Sequence, residues 1–222
     1  MESKSNKFIT NYLVAYNAFC LVGWSYVLIK SCCIAFNPEV DFWAAISFPL
    51  KVCQTTALLE ILHCLIRIVH SPVFSTFVQV FSRLAVLWGL ANVSPDAQQF
   101  WGFKLMVISW SLVEPPRYLF YLFKLMDLEV PTWLLFLRYH LFIVLYPTGI
   151  TGEISVLLKS LKYIKESQIW SVSLPNPWNF AFSYYYFVCC LLLIYIPGGP
   201  FMYNVMIKNR EKNWVNRKPK SD

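Results

Sequence analysis

The stretch Leu141-Phe-Ile-Val-Leu-Tyr146-Pro-Thr-Gly149-Ile-Thr-Gly152-Glu153 decides how this chain is read. It continues an apolar run that begins at Trp133 and ends at Leu157, long enough for the ~20 residues a membrane crossing needs. A phenol and a carboxyl group sit seven residues apart inside that run. A carboxyl in hydrocarbon costs roughly 2.5–3.5 kcal/mol even on lenient insertion scales, so an acid placed there points to a site. On an unbroken helix seven residues rise ~10.5 Å and return to nearly the same azimuth, so Tyr146 and Glu153 share a face. Pro147 frees backbone groups, while Gly149 and Gly152 permit close approach of a neighbour or a guest. The expectation is a gap in which both side chains reach one bound molecule and perform acid–base chemistry on a lipid-borne substrate.

Composition agrees with a membrane setting. Of 222 residues, 57% are hydrophobic, 18% aromatic and only 14% charged, against about 25% charged in soluble domains. The start, Met1-Glu-Ser-Lys4-Ser-Asn-Lys7, runs into an apolar stretch without a small-residue cleavage site, so the first span is expected to remain as an anchor. The formal charge of +7 raises the question of nucleic acid. Six of the basic residues (Lys208, Arg210, Lys212, Arg217, Lys218, Lys220) nevertheless fall in the last fifteen positions, beside an apolar span. That pattern reads as a juxtamembrane tail facing the cytosol and anionic lipid, with no nucleic acid as partner. The seven cysteines lie mostly in apolar stretches without CxxC pairing, and are read as packing residues that form neither a disulfide frame nor a metal site. Neither a metal nor a cofactor is expected.

Six candidate spans follow: 12–34, 48–68, 73–91, 103–123, 133–157 and 180–207, separated by Pro- and Asp/Asn-containing connections. The expected architecture is all-α: a polytopic membrane protein with six transmembrane helices in one bundle, residues 1–222 forming a single domain with a basic tail from about 208. An even number of spans places both termini on one side, and Lys4, Lys7 and the tail make that side cytosolic. Lys159, Lys162 and Lys165 disagree, because they follow the fifth span as a basic loop on the lumenal side. Asn92-Val-Ser94 is a glycosylation sequon, but its closeness to the membrane and Pro95 weigh against its use. Lys220 and Lys218, three and five places from the end, resemble a dilysine retrieval signal of endoplasmic-reticulum membrane proteins.

Polar side chains recur inside the spans at helical spacing. Thr56, Glu60, His63 and Arg67 form one stripe; Thr76, Gln79 and Arg83 a second; Trp110, Glu114, Arg117 and Tyr121 a third; Tyr139, Tyr146 and Glu153 a fourth. Such groups face each other or a wet cavity. Glu60 with Arg67 or Arg83, and Glu114 with Arg117, are the expected ion pairs. A purely structural network explains Glu60, His63, Gln79 and Glu114 equally well. Lys51, Arg67, Arg83, Arg117 and Arg138 outnumber the acids, which suits the phosphates of an acyl carrier. A phosphatase is excluded. His63-Cys64 begins like a phosphate-loop motif, but no glycine follows and His70, not arginine, stands six residues after the cysteine.

Several segments resemble, in order, the very-long-chain (3R)-3-hydroxyacyl-CoA dehydratases, also called protein-tyrosine-phosphatase-like proteins. They are Gln54 through Cys64, Gln79-Val-Phe-Ser82-Arg83, Glu114-Pro-Pro-Arg117-Tyr118, Arg138-Tyr139 through Glu153, Leu174-Pro-Asn176, and Tyr184-Tyr-Tyr-Phe187. The resemblance implies an endoplasmic-reticulum enzyme that removes water from long- and very-long-chain 3-hydroxyacyl-CoA to give trans-2-enoyl-CoA, the third step of fatty-acid elongation. It makes Tyr146 and Glu153 the catalytic pair. Glu60, His63, Arg83, Glu114, Arg117, Arg138 and Tyr139 would form the substrate-binding or supporting network. The partners it implies are membrane lipid, a fatty-acid elongase condensing enzyme, and the ketoacyl and enoyl reductases. Two departures stand out: Arg67 occupies a position where the family tends to carry glycine, and Pro115-Pro116 interrupts the Glu-x-x-Arg-Tyr stretch. Elimination needs a base at C2 and an acid for the C3 hydroxyl; glutamate is the better base near neutrality and tyrosine the donor, with the reverse assignment open. The alternatives are a catalytically silent scaffold for elongase subunits and a small-solute transporter, the latter disfavoured by the lack of an inverted repeat.

Overall fold

The computed structural model describes residues 2–215, with side chains described from Lys7 to Trp214. The order is α1 (Glu2–Ile34), α2 (Phe42–Thr56), α3 (Leu58–Leu65), α4 (Val73–Leu84), α5 (Pro95–Gln98), α6 (Trp101–Leu125), α7 (Thr132–His140), α8 (Phe142–Ser167) and α9 (Tyr184–Arg210). Wide π-type turns extend α4 over Ala85–Ala91 and α9 over Glu211–Val215. Among the described residues there is no strand, only one antiparallel bridge between Val172 and Phe182. Five helical segments are long and apolar enough to cross a membrane: Lys7–Ile34, Phe42–Leu65, Val73–Ala91, Thr132–Ser167 and Tyr184–Trp214.

Helix α6 is the axis of the packing, with its most extensive contacts to α1 on one side and α8 on the other. The reason is visible in the spacing of buried positions. On α1 the buried face is Leu13, Tyr16, Asn17, Cys20, Trp24, Val27 and Ser31, stepping by three and four. On α6 it is Phe103, Met106, Val107, Trp110, Glu114 and Tyr118. Helices in lipid gain little from apolar burial and associate through close packing, so small residues mark the seam. A Cβ on Gly152 would stand 2.7 Å from the Met106 backbone nitrogen and 2.8 Å from the Gly102 carbonyl oxygen. Of the two roles expected for Gly149 and Gly152, close approach of a neighbour or of a guest, the structure shows the neighbour: both are buried against α6, Gly149 against Ser109 and Trp110.

Two other expectations change. Lys159, Lys162 and Lys165 are not a loop, because α8 continues to Ser167 and ends at Gln168 in the left-handed conformation. Lys159 rides over the Phe100 ring at 4.8 Å and Lys165 over Tyr185 at 5.8 Å, so long stems are accommodated on aromatic surface. The first part of the expected basic tail is helical: α9 runs through Lys208 and Arg210, and Trp214 packs against Phe136 and His140 of α7. Arg217, Lys218 and Lys220, with the dilysine spacing, lie outside the described residues. The glycosylation sequon is also poorly presented, since Ser94 is fully buried. All seven cysteines are free thiols. Among the described residues no group of His, Cys, Asp or Glu is placed to hold a metal.

Candidate active site

Helix α8 places Tyr146 and Glu153 two turns apart, and α9 packs against it with Tyr195, Gly199 and Tyr203 at four-residue steps. The half-buried Tyr146 hydroxyl donates to the Gly199 carbonyl at 3.1 Å, and its ring lies 5.8 Å from that of Tyr203. Glu153 is held at both oxygens. Oε1 accepts from the Trp110 indole of α6 at 2.8 Å, and Oε2 from the Tyr195 hydroxyl of α9 at 2.7 Å. Tyr146 and Glu153 thus both meet the same helix, α9, without hydrogen-bonding to each other.

Behind Trp110 runs a chain of charges. The Arg83 guanidinium lies over the Trp110 ring at 5.1 Å and donates to Oε1 of Glu114, which is 2% exposed. Glu114 Oε2 lies 2.7 Å from Arg117 Nε, an ion pair whose angle departs from the hydrogen-bond direction. Arg117 grips Glu60 bidentately at 3.0 and 2.7 Å, and Tyr118 donates to the same carboxylate at 2.7 Å. Beyond it the Arg117 and Arg138 guanidinium groups flank the Tyr121 ring at 6.0 and 5.8 Å. Two arginines therefore face two glutamates in a balanced cluster. Balance matters here because a buried charge missing its partner is strongly destabilising.

The expected pairings are corrected in part. Glu114 does meet Arg117, but Glu60 pairs with neither Arg67 nor Arg83. The helical stripe on which Arg67 was placed ends at Leu65, and Arg67 is exposed in the following turn with φ 59°. His63 sits outside the charge chain: Tyr12 and its ring share a 2.8 Å hydrogen bond, and Tyr16 packs edge-on at 4.9 Å, joining α3 to α1. Tyr139 does not continue the Tyr146–Glu153 face. The helix is interrupted at Leu141, and Tyr139 packs edge-on to Phe120 of α6 at 6.5 Å. Gln79 is exposed. Of the five expected cations, Arg83 and Arg117 are paired with Glu114 and Glu60, and Lys51 lies between the Trp43 and Trp88 rings, 5.0 Å from each.

Tyr195 was not among the candidates read from the sequence, and Trp110 was read only as part of a stripe. A signal for Tyr195 existed in the spacing Tyr195, Gly199, Tyr203, but it lies in a run so rich in aromatics that nothing there marks one tyrosine. A cavity of about 490 Å³ is lined by Cys64, Arg67, Val69, His70, Ser71, Pro72 and Val73, and includes neither Tyr146 nor Glu153. Cys64 itself is buried on α3 with its thiol on Thr76 at 3.8 Å, in no loop that could cradle a phosphate.

Comparison with known proteins gives this arrangement a lineage. A 41% identity over 204 residues, 90% of this chain and 91% of the relative, relates it to the very-long-chain (3R)-3-hydroxyacyl-CoA dehydratase PASTICCINO 2 of Arabidopsis thaliana. The Caenorhabditis elegans dehydratase hpo-8 is 37% identical over 92% of this chain and 94% of its own. Human very-long-chain (3R)-3-hydroxyacyl-CoA dehydratase 2 is 39% identical over 91% of this chain and 80% of its own. No solved structure matches. Residues 54–216, which carry Glu60, Glu114, Tyr146, Glu153 and Tyr195, match the family described as "Protein tyrosine phosphatase-like protein, PTPLA", and the chain belongs to that family.

Proposed function

We propose that this protein is a membrane hydro-lyase that removes water from long- and very-long-chain (3R)-3-hydroxyacyl-CoA to give trans-2-enoyl-CoA, with Glu153 as base and Tyr146 as acid. Family membership and the names of three relatives support a dehydratase. The observation that carries the residue assignment is the contrast among the core acids. Glu60 and Glu114 are committed to arginines, whereas Glu153 takes part in no ion pair among the described residues and is held only by neutral donors. A carboxylate locked to an arginine gives up that partner's stabilisation when it accepts a proton; Glu153 does not.

The step balances. Glu153 takes the C2 proton, the C2–H electron pair becomes the C2–C3 double bond, and the C3–O bond breaks. The departing hydroxyl takes the Tyr146 proton and leaves as water. A proton then passes from Glu153 to the tyrosinate to reset the pair. In this reading the Tyr146 hydroxyl exchanges its bond to Gly199 for one to the substrate.

The same reading makes α6 a sixth span. Its 25 residues rise about 37 Å, enough to cross, and its mid-helix charges, Glu114 and Arg117, are paired within the bundle. Six spans would form one domain in the endoplasmic-reticulum membrane with both termini on its cytosolic side, a location drawn from the family resemblance. The CoA would then meet the end of α6 carrying Tyr121, where Arg138 of α7 packs against it, and elongase subunits (the condensing enzyme and the two reductases) would supply substrate and consume product. The lysines at the end of α8 fall on the lumenal side in this arrangement, against the usual bias. The test is formation of trans-2-enoyl-CoA by the purified protein alone, in detergent, across a chain-length series of (3R)-3-hydroxyacyl-CoA. Conversion without other subunits is expected. A protein that converts none of them alone is a scaffold, and the proposal falls.

A further inference from the structure

Resting on Glu153 as the base, we propose that Tyr195 is a positioning residue for the reaction, holding the Glu153 carboxyl in line for the C2 proton and following that proton once it is taken. Three observations carry this. Tyr195 approaches Oε2 from α9 at 2.7 Å while Trp110 approaches Oε1 from α6 at 2.8 Å, so two rigid aromatic donors on different helices fix the carboxyl plane. The two donors differ chemically. An indole N–H only donates, whereas a phenol both donates and accepts. When Glu153 becomes protonated at Oε2, the Tyr195 hydroxyl turns from donor to acceptor and the contact survives; an ion pair at that position would not. Finally, Tyr195 stands one helical turn before Gly199, the residue whose carbonyl holds Tyr146. Among the described residues these two bonds are the side-chain hydrogen bonds between α8 and α9, so one helix face registers both reacting groups.

The experiment compares wild type, Tyr195→Phe, Glu153→Gln and the double variant, each full-length in detergent, on one 3-hydroxyacyl-CoA. Phenylalanine keeps the ring and removes only the hydroxyl. Loss of positioning is expected to lower kcat about 10–100-fold in Tyr195→Phe while KM stays within about 3-fold. Because Tyr195 acts through Glu153, adding Tyr195→Phe to Glu153→Gln should produce no further loss. A merely structural tyrosine would lower the melting temperature and the active fraction and would subtract equally in both backgrounds. If Tyr195→Phe does not fold, 3-fluorotyrosine at position 195 replaces it: the more acidic phenol is expected to change kcat without altering packing, and an unchanged kcat counts against the proposal. Tyr195→Phe with kcat within 2-fold of wild type, beside an inactive Glu153→Gln, overturns the inference alone. An active Glu153→Gln overturns the assignment of the base beneath it.

Discussion

Arg67 adopts φ 59°, the left-handed region where a side chain carries a penalty and glycine does not. Among the described residues no ion pair or hydrogen bond of the Arg67 side chain offsets that penalty. Arg67→Gly is expected to stabilise the protein by about 0.5–1 kcal/mol, read as a rise in melting temperature in detergent. Gly152 is the opposite case. Its missing Cβ leaves room for the backbone of α6, which cannot yield as a side-chain tip would. Gly152→Ala should therefore destabilise by about 1–3 kcal/mol in the same measurement. Both residues show where sequence reading stops. A glycine next to a catalytic candidate leaves a neighbour and a guest equally open, and only the packing partner reveals that it faces another helix. Tyr146 and Glu153 were legible because an acid and a phenol at heptad spacing are conspicuous in an apolar run. Tyr195 was not, because its partner lies 42 positions away and nothing local distinguishes it from its neighbours.

At the scale of elements, α6 carries its charges inward, and the four-residue cluster of Arg83, Glu114, Arg117 and Glu60 ties α6 to α3 and α4. Glu114 is the shared member, contacting both arginines. Glu114→Ala leaves two guanidinium groups short of a partner and is expected to lose about 3–5 kcal/mol, enough to lower both melting temperature and folded yield. The helices themselves were legible: each of the six apolar runs corresponds to a helical segment, five of them long and apolar enough to cross a membrane, and 73–91 agrees at both ends. Ends and breaks were less so. The continuation of α8 through Lys159, Lys162 and Lys165 is missed because lysine reads as loop. Those three lysines recur every three residues, and two of them rest on aromatic rings contributed by distant segments. The break between α7 and α8 at Leu141 is likewise silent in sequence.

For the molecule as a whole, an apolar exterior surrounds a polar seam that runs along α6 from Arg138 and Tyr121 through the balanced ion pairs to Trp110, Glu153 and Tyr195. Among the described residues of this seam, Glu60 and Glu114 are paired with arginines, whereas the Glu153 carboxyl is held by neutral donors alone, two helical turns from Tyr146 on α8. The central claim is that these two groups carry the elimination. The direct measurement is kcat for purified Glu153→Gln and Tyr146→Phe on (3R)-3-hydroxyacyl-CoA, each checked for a wild-type melting temperature. The account predicts that each variant, still folded and still binding substrate, loses about 10²–10⁴-fold in kcat. Wild-type turnover in either folded variant contradicts it.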